Sequence, residues 1–234
     1  MARRRGMLKL ATRFCLLFFA GALLGCASSE VIPKNFPDPL KKIDPKSIAR
    51  MYHNNAEGNG WFFSYDGCLV TVAHYSGVSV GSKFSVWNGS LYEGKVLFVD
   101  THWDIAVLKV KGEFPVLPLP EEDIIPKMGE TVYVITRNGN RKLEYLMGAV
   151  MLVNSSLIIS LPDGGIAYFP GAFAFWADSA AVPGWSGSRA EGGGVANVAG
   201  YVVASDLEHK TYYHILSRKT LESLFSGVWN ACRK

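Results

Sequence analysis

Residues 58–77 read GNGWFFSYDGCLVTVAHYSG: an apolar run, an Asp66-Gly67 pair, a second apolar run, and then a histidine. Asp-Gly pairs supply the positive φ of tight hairpins, so the two runs predict paired antiparallel strands. Further out, Asn88-Gly89, Asn138-Gly139 and Asp163-Gly164 each separate apolar or alternating runs. The flanks KFSVW, GKVLFV, DIAVLKV, TVYVIT and SLIIS are rich in β-branched and aromatic residues at strand length. The chain is therefore expected to be all-β. SIARMY, just upstream, fits either a helical turn or a first strand.

A Pro-rich stretch, FPVLPLPEEDIIPK, divides the strands into two similar sets, about 55–118 and about 129–216. Neither set is long enough to be an independent domain, so two small barrels sharing an interface are expected. Beyond them, Ser217 suits an N-cap, and Leu221, Leu224, Phe225, Val228 and Trp229 recur at helical spacing. A C-terminal helix is predicted over about 218–231, packed on the second barrel.

The whole chain of 234 residues is 49% hydrophobic and 19% charged, the composition of one globular unit with a substantial core. Its formal charge of +4 is concentrated at the start, in Arg3, Arg4, Arg5, Lys9 and Arg13; without those five the balance is −1. No basic patch argues for nucleic acid. The cationic start precedes FCLLFFAGALLG, an apolar run of about 12 residues, long enough for an export signal and short for a membrane span. ASSEVIPKNFPDPLKKIDPKS, which follows Cys26, contains Pro33, Pro37, Pro39 and Pro45 and reads as an extended tether over residues 26–50. Of four cysteines, Cys15 lies in the signal, and Cys68 and Cys232 are the two that could pair in a mature chain. The absence of C-x-x-C and H-E-x-x-H spacing leaves no metal or other cofactor to expect.

Three polar residues stand out against this apolar background. His74 follows a strand and the small Ala73; Asp104 heads the apolar strand in THWDIAVLKV; Ser186 sits between glycines in PGWSGS. Each has an ordinary structural reading alone, as a core histidine, a turn-capping aspartate and a turn serine. Taken together they offer what a nucleophilic serine needs: a base to accept its proton and a third group to orient that base.

GNGWFFSYDGCLVTVAH, WDIAVLKV and DSAAVPGWSGS occur in the order histidine, aspartate, serine, and over roughly residues 58–205 the chain resembles the trypsin-like serine peptidases, in particular the HtrA-type bacterial branch. The resemblance implies a double six-stranded antiparallel β-barrel with the site between the barrels. It implies His74 as general base, Asp104 as its orienting partner and Ser186 as nucleophile. The N–H groups of Gly184 and Ser186 would form the oxyanion hole. Ala180, Ala181, Val203, Ala204 and Ser205 would line an uncharged pocket favouring aliphatic side chains before the cut. Leu23-Leu24-Gly25-Cys26 resembles the lipobox of bacterial lipoproteins, implying a lipid on Cys26 and attachment to the cell envelope. The C-terminal PDZ domain usual in HtrA-type relatives is not expected here.

The pattern also departs from the family. Trp185 stands where aspartate or asparagine is usual, and Ser188 where glycine is usual. Loss of that aspartate suits an enzyme needing no zymogen cleavage, since an acylated Cys26 offers no free amine. A catalytically weak binding or regulatory module of the same fold is the alternative. An α/β-hydrolase is permitted by the order Ser186, Asp206, then His209 or His214, but SRAEGGG is no helix start, and Ser188 replaces the last glycine of that motif.

Overall fold

The computed structural model describes residues 32–75, 77–160, 166–177, 187–192, 199–205 and 210–232. Six strands form the first closed barrel: β1 (Ile48–His53), β2 (Ala56–Phe62), β3 (Cys68–Thr71), β4 (Lys83–Trp87), β5 (Leu91–Asp100) and β6 (Ile105–Val110). Their order around it is β1-β2-β3-β6-β5-β4. Six more form the second: β7 (Thr131–Arg137), β8 (Leu143–Ser160), β9 (Ile166–Ala177), β10 (Arg189–Gly192), β11 (Ala199–Ser205) and β12 (Lys210–Ile215). Read from β7, that barrel runs β7-β8-β9-β12-β11-β10, the same connectivity as the first.

The turn chemistry explains most of the strand boundaries. Gly67 and Gly89 close the β2–β3 and β4–β5 hairpins with φ of 92° and 111°, conformations that strain other residues. SIARMY resolves as β1, which turns into β2 at Asn54 with φ 52°. The Asn138-Gly139 turn is longer than a two-residue hairpin, and its left-handed residue is Arg141, at φ 65°. Asn138 holds it, accepting from the Lys142 N–H through its side chain and from the Arg141 N–H through its carbonyl. Asp163-Gly164 lies outside the described residues.

Burial follows strand position. β4 alternates exposed and buried residues, as expected of a strand with one wet face, whereas all four residues of β3 are buried. Phe62, Leu69 and Leu108 share one face of the first barrel with Phe84, Val86 and Val110, and Trp61, Val70 and Val107 are buried on the other.

Two expectations are corrected at the ends of the fold. The tether does not extend to residue 50: from Phe36 onward the chain is docked. Pro39 and Pro45 do not hold it extended; they start 3₁₀ turns at Leu40–Lys42 and Pro45–Ser47. These turns bury Phe36, Leu40 and Ile43, with Phe36 edge-on to Tyr145 at 4.8 Å. The first barrel accordingly begins at Ile48 rather than near residue 55.

The C-terminal helix packs on the first barrel rather than the second. It runs as α1 (Arg218–Leu224) and α2 (Ser226–Trp229), followed by a 3₁₀ turn, Asn230–Cys232. Ser217 caps it as expected, accepting from the Thr220 N–H. Phe225 meets Phe98 of β5 edge-on at 3.9 Å, Lys109 of β6 donates to the Ala231 carbonyl, and Cys232 is disulfide-bonded to Cys68 of β3. Leu221 and Phe225 are buried and Leu224 half-buried, as the apolar spacing expects; which barrel receives them is set by these long-range partners.

Candidate active site

β3 ends at Thr71, and three residues later His74 lies beside the start of β6, because β3 and β6 pair with Thr71 opposite Ala106. Asp104 precedes β6 in a left-handed conformation, φ 51°. Aspartate tolerates that region better than most side chains. The turn lets one residue reach two partners. The Ala73 N–H donates to both the carbonyl oxygen and Oδ1 of Asp104, at 3.1 and 3.0 Å, while Oδ2 lies 2.7 Å from His74 Nδ1.

Asp104 is 3% exposed, so its carboxylate has little water and these bonds stand in for it. An ionised carboxylate only accepts, so Nδ1 carries the proton and Nε2 of the neutral ring is left as the acceptor. Burial pushes the His74 pKa down, but the hydrogen bond and charge of Asp104 outweigh it and hold the value above that of an ordinary histidine. Tyr75 packs beside the His74 ring and edge-on to Phe84; burial pushes its phenol far above the usual range, so it is neutral.

Ser186, Gly184, Ala180, Ala181, Trp185 and Cys26 lie outside the described residues, and Val203, Ala204 and Ser205 are placed only as backbone of β11. The two residues after Ser186 are described, and both are buried. Gly187 has φ 78°, and a Cβ there would lie 2.0 Å from the Asn59 carbonyl oxygen and 2.6 Å from Thr71 Oγ1. Only glycine fits so close an approach. The chain following Ser186 is thus pressed against β2 and β3 of the barrel that carries His74 and Asp104. Ser188, the departure from glycine, donates its hydroxyl to Thr136 Oγ1 at 2.9 Å, so the extra polar group is satisfied.

Sequence reasoning missed the polar residues behind this site. Asn59, Thr71, Arg50 and Arg137 are all buried. Arg137, at the end of β7, donates to the carbonyls of Pro45 and Ile48 across the seam and to that of Arg141, and it lies 4.9 Å from the Trp87 ring. The available signal was a polar residue inside an apolar strand pattern: Asn59 between Gly58 and Gly60, and Arg137 after TVYVIT. Among the described residues, no group of three histidine, cysteine or acidic side chains is placed to hold a metal.

Comparison with known proteins bears on the same residues. Residues 58–204 match the family model described as trypsin-like peptidase domain. HhoB of Synechocystis sp., whose name marks it as a candidate serine protease, is 30% identical over 176 residues, which make up 74% of this chain and 36% of HhoB. Serine protease HTRA1 of Xenopus tropicalis is 39% identical over 83 residues, 34% of this chain and 18% of that protein. The chain therefore spans a minor part of these relatives' length. The active form of the Rv3671c protease from M. tuberculosis superposes with a TM-score of 0.60 at 21% identity, covering 84% of this chain and 89% of that one. The MamO protease domain from Magnetospirillum magneticum gives 0.57 at 17% identity, covering 77% and 96%.

Proposed function

Because the chain belongs to the trypsin-like peptidase domain family, we propose that it is a serine endopeptidase acting through an acyl-enzyme on protein or peptide substrates. Ser186 Oγ attacks the scissile carbonyl carbon while His74 Nε2 takes its proton. The N–H groups of Gly184 and Ser186 bind the oxyanion, and His74 then protonates the departing amine. Water, deprotonated by His74, hydrolyses the ester and restores the serine. Asp104 keeps the ring in the tautomer this requires. The observation that carries this reading is the 2.7 Å bond from His74 Nδ1 to a buried Asp104, in the same barrel against which the residue after Ser186 is packed.

The same reading places the enzyme in the bacterial envelope, held by a lipid on Cys26, with cleavage after alanine, valine or leucine. A disulfide supports export, since such bonds persist in oxidising compartments. One experiment tests the chemistry and the placement together: a fluorophosphonate applied to separated membrane and soluble fractions of expressing cells. Mass spectrometry is expected to find the adduct on Ser186 and a lipid-bearing N-terminal peptide beginning at Cys26, both in membranes. A parental protein that stays unlabelled while a control peptidase labels favours the weakly catalytic binding module. On a mixed peptide library, dominant cutting after lysine or arginine would rule out the uncharged pocket.

The state of His74 also fixes a pH dependence. The base must be neutral, so kcat/KM is expected to rise with pH through a value above the ordinary ~6.5 of histidine. Stability runs the other way. The protonated pair stabilises the fold fully below the unfolded pKa, and that contribution is lost as pH rises through the raised folded value. In Asp104→Asn the charge is gone and burial remains, so the acid limb should move below that of the parent. An acid limb unchanged by this substitution would mean that Asp104 does not tune His74.

A further inference from the structure

Asn59 touches both barrels and the segment that follows Ser186. Its Oδ1 accepts from the Arg137 N–H at 2.7 Å, and its Nδ2 donates to the Arg137 carbonyl at 3.2 Å, so one side chain grips both main-chain polar groups of one residue in the other barrel. Its own carbonyl accepts from Thr71 Oγ1 at 2.6 Å and forms the floor beneath Gly187. On the far side, β7 pairs with β10, Arg189 opposite Ile135, and Thr136 bonds Ser188. The segment after Ser186 is therefore held from the first barrel by Asn59 and Thr71 and from the second by β7. The Asn59 amide is the two-point link between those supports.

Arg50 and Arg137 also cross the seam, Arg50 donating to the Arg137 carbonyl at 3.0 Å. They do so from long stems that can follow small displacements, whereas the short Asn59 side chain bonds main chain on both of its atoms. Main-chain position is what sets the offset between β2 and β7. We propose that Asn59 is a positioning residue, fixing the segment that follows Ser186 relative to the His74–Asp104 pair by clasping the main chain of Arg137. This rests on the reading of Ser186 as nucleophile.

Small misplacement of reacting groups lowers turnover more than binding, by as much as about 100-fold for 1 Å. Asn59→Ala removes both bonds; Asn59→Asp keeps the acceptor for the Arg137 N–H but sets a carboxylate oxygen against its carbonyl. The test is steady-state kinetics on a peptide substrate, fluorophosphonate labelling and thermal melting, with rates read well below each variant's Tm. For Asn59→Ala, kcat and the labelling rate are expected to fall together by about 30-fold, KM to change less than about threefold, and the acid limb to stay in place, because His74 and Asp104 keep their bond. Asn59→Asp should fall between Asn59→Ala and the parent.

A residue that only supports the fold would lower Tm and leave the kcat of folded protein at the parental value; that result overturns the proposal. A shifted acid limb also overturns it, since Asn59 would then act on the histidine instead of the serine loop. If Asn59→Ala does not fold, Asn59→Asp decides on the same measurements, and failure of both to fold makes the residue purely structural. A parent that does not label at Ser186 removes the reading itself, whereas a labelling parent with fully active variants removes this inference alone.

Discussion

Ser186→Ala is expected to lower peptide hydrolysis by at least about 10⁴-fold while leaving the melting curve unchanged, because on the proposed mechanism the lost hydroxyl supplies the bond-forming oxygen and alanine offers none in its place. His74→Ala should lose a similar factor. The double variant should be little worse than either single one, since a base without a nucleophile and a nucleophile without a base fail at the same step. At the third position the choice of replacement matters. Asp104 sits at φ 51°, where alanine is strained, so Asp104→Ala would combine a chemical loss with a backbone cost. Asparagine tolerates that conformation and keeps the shape, so Asp104→Asn isolates the charge. Near-parental turnover by Ser186→Ala on any substrate cut by the parent would eliminate the nucleophile assignment.

The largest stability effect is expected from the Cys68–Cys232 bond, which spans a sequence separation of 164 residues. A cross-link closing so long a loop restricts the unfolded chain strongly, and removing a native disulfide typically costs about 2–5 kcal/mol. The joint variant Cys68→Ser/Cys232→Ser should therefore melt about 10 °C lower than the parent, given about 2–4 °C per kcal/mol at this size. Because the bond joins the C-terminal turn to β3, amide exchange in Asn230–Cys232 should accelerate more than in the barrel strands. Coincident melting curves would show that the bond contributes nothing to the fold.

Much of the architecture could be read locally because its determinants are local. Asp66-Gly67 and Asn88-Gly89 impose hairpins through the backbone freedom of one residue, and KFSVW carries its own alternation. That Asp104 needs a partner was legible for a related reason, since a carboxylate heading an otherwise apolar strand is buried; that the partner is His74 came from the resemblance of the ordered motifs. The failures share the opposite cause. Phe36, Leu40 and Ile43 lie among prolines that suggest a tether, and only Tyr145 and the barrel they cover reveal that they are core. The helix from Arg218 shows its apolar face but not its target, which Phe98 and Cys68 decide from more than a hundred residues away. Asn59 and Arg137 were passed over because a polar residue in a strand looks solvent-facing until a second barrel covers it.

Arg137 also bears on how the seam between the barrels can move. Its guanidinium meets the Ile48 and Pro45 carbonyls at 2.6 Å each, with no exposed surface of its own. Parting the barrels by about 1 Å would stretch these bonds beyond useful length unless the stem bends to follow, while the gap would still be narrower than a water molecule of roughly 1.4 Å radius. A stem that did not follow would leave the cation with the Arg141 carbonyl of its own barrel but without two acceptors, and with no water in their place. The seam is therefore a tether: the guanidinium is drawn after any small shift of the two halves, because letting go strips a buried charge of partners that water cannot yet replace.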